Sequence, residues 1–340
     1  MHVRSVGRAR IAGAAAYFPD VTHSSAEVER RIAGSGGGYR PRAGLVEAVS
    51  GIRFRHQAPA GWNASDLAVA AASKLLADQG LDIGGVDLLV FASASQDMVE
   101  PATAHIVAAA LGASCPVFDV KNACNSVLNA IQVCEALIVT GQYERALICT
   151  GEMPSIAIRW AVRDRAQFVQ AFPGYTLSDS GGAVLLERSP DSAGVFHRAF
   201  SADSRAWDVG TLPGGGTAHP RDDEYSYFRM DGARLQEAFE GLGRGLLDEA
   251  LAATGMAWRD FAVVLVHQVT APLLAQFVRR SGVPEDLLVH TLAEHGNLAS
   301  ATLPAQLAEA VARGRCGPGD RVALIGLAGG VSLGVVFAEL

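Results

Sequence analysis

The chain lacks the features that mark several common protein classes. Its five cysteines among 340 residues show no paired spacing, which argues against a disulfide framework or a zinc site and fits a reducing cytoplasm. It has no lysine- or arginine-rich run and a formal net charge of -7, so we expect no nucleic-acid partner. No stretch approaches the roughly 20 apolar residues of a membrane span. We therefore expect a cytoplasmic protein without a membrane segment or a bound metal.

The composition and the order of predicted elements indicate an α/β protein. Hydrophobic residues make up 49% and charged residues 19% of the sequence, enough to build two domains or a duplicated one. Predicted strands and helices alternate, and the pattern recurs: residues 86–91, 146–149 and 182–187 correspond to 261–266, 322–325 and 334–339. Alternating elements with apolar strands favour covered, mostly parallel sheets. We predict two similar halves, residues 1–190 and 191–340.

Cys124 occupies the most informative junction of the chain. A predicted strand at residues 116–120 runs directly into a helix whose apolar residues repeat at helical spacing, and we place Cys124 in its first turn. Unpaired N–H groups and the helix dipole at such a position favour a thiolate, so Cys124 is a candidate nucleophile. The alternative is a small buried side chain, the interpretation we prefer for the other four cysteines.

His267 and Asn297 lie at similar junctions in the second half. His267 directly follows an apolar strand, and functional groups of open α/β sheets gather at the carboxyl ends of strands. Asn297 lies in a turn just before a predicted helix. A reacting thioester needs a nearby base and donors aimed at its oxygen, and Cys, His and Asn supply these. Each residue taken singly has a structural explanation in hydrogen bonding or turn chemistry.

Five segments resemble the thiolase-superfamily condensing enzymes of the β-ketoacyl-acyl carrier protein synthase III type: residues 50–53, 118–124, 266–268, 294–297 and 327–330. The resemblance implies the five-layered αβαβα thiolase fold with two pseudo-duplicated halves, in a homodimer. It also implies that Cys124 takes the acyl group and that His267 and Asn297 bind the second thioester. The N–H groups of Cys124 and Gly329 would then form the oxyanion hole.

Residues 97–104, 267–270 and 294–297 are similar to one branch of that family, which joins two acyl chains head to head. The branch includes the first enzyme of bacterial long-chain olefin synthesis and, nearby, α-pyrone-forming ketosynthases. The resemblance implies that Glu100 crosses the dimer interface and removes the α-proton of the second chain. A carboxylate in an apolar tunnel has a raised pKa suited to this role. The alternative is an acid placed at a helix start, where the dipole favours it.

Other positions depart from the family pattern and bear on the thioester carrier. Asn125 stands where a small residue usually follows the nucleophile, and we expect it to alter the mouth of the pocket. Leu45 and Val49 replace the Trp and Arg that sandwich the coenzyme A adenine, and Pro272 replaces an Arg. An acyl carrier protein is therefore an alternative donor to acyl-coenzyme A. Candidate contacts for phosphopantetheine or an acidic carrier, each alternatively a solvated surface cation, are Arg159, Arg163, Arg279 and Arg280.

Three functions are consistent with the sequence. The first is an acyltransferase that loads Cys124 and performs a Claisen condensation with a second acyl thioester or, in the decarboxylative form, with a malonyl donor, in lipid or polyketide natural-product biosynthesis. The second passes the acyl group to an oxygen or nitrogen nucleophile. The third is a partner subunit of a heterodimeric condensing enzyme. None of the three requires a cofactor beyond the acyl-coenzyme A or acyl carrier protein substrates.

Overall fold

The computed structural model describes residues 8–242 and 245–340. Its strands are β1 (Ala9–Tyr17), β2 (Thr22–Ser24), β3 (Phe54–His56), β4 (Leu88–Ala92), β5 (Val117–Val120), β6 (Arg145–Glu152), β7 (Ser180–Arg188), β8 (Gly194–Ala202), β9 (Gly210–Thr211), β10 (Arg229–Met230), β11 (Val263–Val266), β12 (Arg321–Ala328) and β13 (Ser332–Glu339). Its helices are α1 (Ser25–Gly34), α2 (Leu45–Ser50), α3 (Ala64–Asp78), α4 (Thr103–Leu111), α5 (Ser126–Val139), α6 (Arg165–Ala171), α7 (Gly232–Leu242), α8 (Gly245–Thr254), α9 (Ala271–Ser281), α10 (Leu292–His295) and α11 (Thr302–Ala312).

The first sheet has the strand order β1-β7-β6-β4-β5. Strands β4, β5 and β6 run parallel, and β7 pairs antiparallel with both β6 and β1. Every residue of β4 is buried, as expected for a strand covered on both faces of its sheet. Because β4, β5 and β6 are parallel, their carboxyl ends meet at one edge, which also carries the segment leading to Cys124.

The second sheet repeats this arrangement with the order β11-β12-β13-β8. Strand β8 corresponds to β1, β13 to β7, β12 to β6 and β11 to β4, so the duplicated pattern read from the sequence reappears in the strand order. The counterpart of β5 is a single bridge between Leu288 and Val264, so the second half has no fifth strand in the described part of its sheet. The division at residues 190 and 191 stays a prediction; the strands of the first sheet precede it, and those of the second follow it.

Three layers of helices alternate with these two sheets. Side chains of α5 and α11, among them Ile131 and Leu303, pack between the sheets in one apolar cluster. Helices α3 and α4 cover the outer face of the first sheet. Helices α8 and α9 cover the outer face of the second. The order helix, sheet, helix, sheet, helix is the αβαβα thiolase fold expected from the sequence, and the prediction is confirmed.

Two paired glycines allow α3 to pack directly on the backbone of the first sheet. Gly151 of β6 lies opposite Gly181 of β7. A Cβ atom at Gly151 would lie 1.7 Å from the carbonyl oxygen of Ala64, and one at Gly181 would lie 2.0 Å from that of Leu67. Any larger residue would therefore push α3 away from the strands that end beside the site.

One further expectation from the sequence differs from the structure. The turn that carries Cys124, which we assigned to the start of α5, is not helical. Among the described residues, no helix is both long and apolar enough to cross a membrane.

Candidate active site

Cys124 lies in a tight turn between β5 and α5, not in the first turn of the helix as expected. The helix begins at Ser126, and Ala123 has a positive φ of 47°, which folds the chain back before the helix starts. The N–H of Asn125 donates to the carbonyl of Asn122 at 3.0 Å, and the Ser126 hydroxyl donates to the carbonyl of Ala123 at 2.7 Å. These bonds fix the backbone on both sides of Cys124.

The thiol of Cys124 is protonated at neutral pH, contrary to our expectation of a thiolate. Burial raises its pKa to about 12, and the negative charge of the Glu152 carboxylate acts in the same direction. Desolvation disfavours the charged form of a thiol, and a neighbouring anion disfavours it further. A nucleophilic Cys124 therefore needs a base that takes its proton during attack.

His267 has the protonation state that such a base requires. Its backbone N–H donates to Ile325 at 3.0 Å, which fixes it at the carboxyl end of β11. The hydroxyl of Thr302 lies 3.0 Å from His267 Nδ1 and donates its own proton to the carbonyl of Ala299 at 2.8 Å. Nδ1 must therefore donate to Thr302. Burial lowers the His267 pKa to about 4, so the ring is neutral and Nε2 keeps its lone pair.

His267 Nε2 is buried without a hydrogen-bond partner in the described part of the chain, and His267 lines a cavity of about 300 Å³. The cavity lies between α7, α9 and the paired strands β12 and β13. Its walls are mostly apolar and include Leu235, Phe239, Val269, Leu273, Phe277 and Leu333. An unpartnered basic nitrogen in an apolar cavity suits an uncharged, largely apolar substrate rather than a polar one.

Asn297 belongs to the same short stretch of chain as the partner of His267. Its N–H donates to the carbonyl of Thr176 at 2.8 Å, and its own carbonyl accepts from Ser178 at 3.0 Å. The side-chain Oδ1 accepts from the N–H of Ala299 at 3.0 Å. Residues 297–302, which we call the 297–302 segment, thus carry both Asn297 and Thr302. One element therefore fixes the positions of the Asn and the His.

The 297–302 segment also contacts the first half of the chain, next to the nucleophile. Glu152, the last residue of β6, accepts from the N–H of Ser300 at 3.4 Å and from the Ser300 hydroxyl. The charge of the same carboxylate acts on Cys124. Hydrogen bonds thus join Glu152 to the 297–302 segment, and the charge of Glu152 links that segment electrostatically to Cys124. The catalytic role of each residue stays a prediction.

Asn125 contacts the start of β13, and Gly329 lies in the connection that leads into that strand. Gly329 directly follows β12, in the connection to β13. The Asn125 amide donates to the carbonyl and hydroxyl of Ser332 at 3.1 and 2.9 Å, so it holds the start of α5 against that connection. Asn125 is fully buried and offers no surface at a pocket mouth. We correct that expectation: the amide joins the two halves, because its hydrogen-bonding groups point inward.

The remaining predicted site residues have other partners or are exposed. Arg159 pairs with Glu224 at 2.7 Å and lies over the ring of Tyr227. Arg163, Arg279 and Glu100 are exposed. Within residues 8–242 and 245–340, no hydrogen bond or ion pair joins these side chains to Cys124, His267 or Asn297. Their assignments as substrate contacts, and that of Glu100 as a base, stay predictions.

Sequence reasoning missed Glu152, Ser300 and Thr302. Glu152 ends a buried strand, the position that drew attention to His267, so the same rule could have identified it. Ser300 and Thr302 follow Asn297 within five residues, but nothing local distinguishes them from other small polar residues. Their role becomes visible only through contacts with residues far away in the sequence.

Comparison with known sequences points to one family. The family described as 3-oxoacyl-[acyl-carrier-protein (ACP)] synthase III matches residues 118–204, and its C-terminal part matches residues 251–340. The β-ketoacyl-[acyl-carrier-protein] synthase III of Rhodospirillum rubrum is 32% identical over 98% of this chain and 99% of its own length. The enzyme of the same name from Neisseria gonorrhoeae is 29% identical over 97% and 99%.

Solved structures of OleA from Xanthomonas campestris share this architecture. The cerulenin-bound form has a TM-score of 0.86 and 26% sequence identity, with 98% of this chain and 97% of the other covered. A variant with bound lauric acid and lauroyl-CoA has a TM-score of 0.87 and 26% identity, over 99% and 100% of the two chains. The similarity therefore extends through both halves and the connections between them.

Proposed function

Because this chain belongs to the 3-oxoacyl-[acyl-carrier-protein] synthase III family, we propose that it loads an acyl group onto Cys124 and joins it to a second acyl thioester. At the level of the family it is an acyltransferase that performs condensation, built on the thiolase fold. The proposal adds that both partners are acyl chains and that the product is a β-keto compound. It assigns the reaction to lipid or polyketide natural-product biosynthesis.

In the first step of the proposal, the neutral thiol attacks the donor thioester. His267 Nε2 accepts the thiol proton as the sulfur–carbon bond forms, and it returns this proton to the departing thiol of coenzyme A or the carrier. The N–H groups of Cys124 and Gly329 donate to the oxyanion. The protonated state of Cys124 and the free lone pair of His267 support this order of events.

In the second step, a base removes a proton from the carbon next to the second thioester carbonyl. We assign this role to Glu100 of the partner subunit in a homodimer. The carbanion attacks the acyl carbonyl on Cys124, a carbon–carbon bond forms, and the sulfur leaves and regains a proton. His267 and Asn297 hold the oxygen of the enolate. In the decarboxylative alternative, carbon dioxide leaves a malonyl donor, and no base is needed.

One observation carries the proposal. The 297–302 segment contacts His267 through Thr302, contains Asn297, and contacts through Ser300 the carboxylate whose charge acts on Cys124. A thiol, a neutral imidazole and a carboxamide linked in this way are the groups that acyl transfer from a thioester needs. The apolar cavity beside His267 gives an alkyl chain a place to lie.

The donor site is the second part of the proposal. Leu45 and Val49, where coenzyme A would be sandwiched in related enzymes, line an open cavity of about 740 Å³ together with Arg165 and Arg229. Neither arginine forms an ion pair in the described part of the chain. We propose that acyl carrier protein as well as acyl-coenzyme A serves as donor, because cations bind the phosphate common to both.

Product analysis tests the condensation. The protein is incubated with pairs of acyl thioesters on coenzyme A and on carrier protein, with and without a malonyl donor, and products are identified by mass. We expect a β-keto product from two acyl thioesters. An ester or amide product would favour the acyltransferase alternative, and the absence of a new carbon–carbon bond with every pair would contradict the proposal.

The glutamate assignment has its own experiment. Glu100→Gln should abolish condensation of two acyl thioesters while leaving acylation of Cys124 intact. Glu224→Gln, a change in another exposed carboxylate that pairs only with Arg159, is the matched control for altered surface charge. If the Glu100 variant condenses two acyl thioesters at the wild-type rate, the base is another group.

A further inference from the structure

Glu152 is a buried carboxylate that the proposed chemistry does not use. It is 1% exposed and stands at the carboxyl end of β6. A buried carboxylate costs stability unless hydrogen bonds and charges compensate for it. Sheet packing alone does not require one here, because residues 146–151 of β6 are buried without any charge. Its partners therefore indicate what it does.

The donors to Glu152 come from two different parts of the chain. The N–H of Ala94 and the N–H and hydroxyl of Ser95 donate at 2.9, 3.3 and 3.1 Å, from the loop after β4. Ser300 donates with its N–H at 3.4 Å and with its hydroxyl. Glu152 thus joins the ends of β4 and β6 in the first half to the 297–302 segment in the second.

Ser300 is attached to the first half at more than one point. Its hydroxyl also lies 2.6 Å from that of Thr150 and 3.2 Å from the carbonyl of Ala92. Two residues after Ser300 is Thr302, which fixes the ring of His267, and three residues before it is Asn297. Because these residues are so close along the chain, a shift of Ser300 would displace both groups.

We propose that Glu152 is a positioning residue, whose hydrogen bonds to Ser300 hold Asn297 and the Thr302–His267 pair in place for the second thioester. This inference rests on the proposed function, since it assigns Glu152 to the condensation step. Donors that stabilise an enolate act only within a narrow range of positions, and a misplacement of about 1 Å lowers rates by about 100-fold. Glu152 contacts neither the substrate nor the reacting atoms in this account.

The charge of Glu152 provides a second, separable effect. The carboxylate adds to the burial that raises the pKa of Cys124, and it opposes the burial that lowers the pKa of Lys121, whose ammonium donates to Gln96 at 2.9 Å. Burial raises the pKa of Glu152, and the hydrogen bonds that it accepts from Ser300, Ala94 and Ser95 oppose this shift. Removing the charge should therefore make the thiol ionise more easily, whereas removing only the contact to Ser300 should not.

Two variants and a control separate these effects. Glu152→Gln removes the charge and weakens the contact, and Ser300→Ala removes the hydroxyl while leaving the carboxylate. The control is Glu135→Gln. Glu135 is also a buried carboxylate, but it belongs to α5 and pairs with Arg198 at 3.1 Å. Circular dichroism and thermal unfolding establish that each variant is folded.

Two readouts are measured on each folded variant. The first is condensation in a single turnover from preformed acyl-enzyme, and the second is the pH dependence of Cys124 alkylation by iodoacetamide, read by peptide mass spectrometry. We expect Glu152→Gln and Ser300→Ala to lower condensation at least about tenfold. We expect the rate of Cys124 alkylation at pH 9 to rise in Glu152→Gln only, because the neighbouring negative charge is removed, and neither readout to change in Glu135→Gln.

The proposal is overturned if Glu152→Gln and Ser300→Ala both condense at the wild-type rate. It is also overturned if their thermal stability falls while condensation does not. If Glu152→Gln does not fold, Ser300→Ala decides by its condensation rate. A wild-type protein that gives no β-keto product would contradict the proposed function instead. Alkylation of Cys124 needs no substrate. An unchanged pH dependence of alkylation in Glu152→Gln would therefore separately contradict the predicted effect of the Glu152 charge on the thiol.

Discussion

At the scale of single residues, the central feature is a pair of neutral groups. The Cys124 pKa lies near 12 and the His267 pKa near 4, so between these values neither group is charged. Desolvation produces both shifts, upward for the acid and downward for the base. Burial therefore disfavours a preformed thiolate–imidazolium pair in the free protein. In the proposed mechanism, attack by sulfur and proton transfer to nitrogen occur together.

The first prediction concerns the pH dependence of Cys124 alkylation. Iodoacetamide reacts with the thiolate, and a pKa near 12 means that the thiolate fraction rises about tenfold per pH unit across the neutral range. We expect the alkylation rate to keep rising up to at least pH 10, as measured by peptide mass spectrometry after short exposures. A plateau below pH 8 would show that the thiol is already ionised there.

The second prediction concerns the orientation of His267. Thr302→Val keeps the shape of the side chain but removes the oxygen that accepts from Nδ1. We expect acylation of Cys124 to slow about five- to tenfold, because such a hydrogen bond contributes about 1 kcal/mol. Thr291→Val is the matched control, since the Thr291 hydroxyl is also buried but has no partner in the described structure. Equal acylation rates in Thr302→Val and Thr291→Val would contradict the assignment of Thr302 as the group that orients His267.

At the scale of elements, the position of α3 depends on two glycines. The third prediction is that Gly181→Ala lowers the free energy of unfolding by at least about 2 kcal/mol, since its Cβ would lie 2.0 Å from the carbonyl oxygen of Leu67. Urea denaturation measures the change. Gly34→Ala in α1 is the control, because no atom lies within 4 Å of that added Cβ. A loss of similar size in both variants would rule out this contact as the cause.

The elements also show how far the sequence could be interpreted. Apolar periodicity predicted β4, β6, β7 and β12 near their observed positions, because a covered strand must be apolar along its length. The periodicity misplaced the start of α5, because Ala123 adopts a positive φ, which residues other than glycine seldom adopt. No local pattern indicates that conformation.

The residues of the candidate site likewise fall into two groups, those that the sequence identified and those that it did not. Cys124, His267 and Asn297 could be selected because they lie at element junctions and match a family pattern. Glu152, Ser300 and Thr302 could not be grouped from the sequence. The bond from Ser300 to Glu152 joins residues 148 positions apart, and only the stacking of the two halves brings them together. The same stacking buries Asn125, which the sequence placed at an opening.

At the scale of the whole molecule, one proposed site residue requires a second copy of the chain. Glu100 is exposed and follows Val99, whose side chain is 75% exposed, and Met98, which is 48% exposed. Consecutive exposed apolar residues are costly in water. We propose that a second copy covers them in a homodimer and that Glu100 then faces the partner subunit's site.

The fourth prediction tests this arrangement by complementation. Cys124→Ala and Glu100→Gln should each be inactive in condensation, the first for lack of a nucleophile and the second for lack of a base. When the two are mixed and allowed to exchange subunits, about half of the molecules should pair one defect with the other, and each such dimer keeps one complete site. Recovered β-keto product is expected; continued inactivity with proven exchange would exclude action across an interface.

The acyl-enzyme is the most direct test of the whole account. The protein is exposed to a panel of acyl-coenzyme A and acyl carrier protein donors, and intact mass and peptide mapping then locate any adduct. The account predicts one acyl group per chain on Cys124, absent from Cys124→Ala and formed much more slowly in His267→Ala. An unmodified Cys124 with every donor, or an adduct that persists in Cys124→Ala, would contradict it.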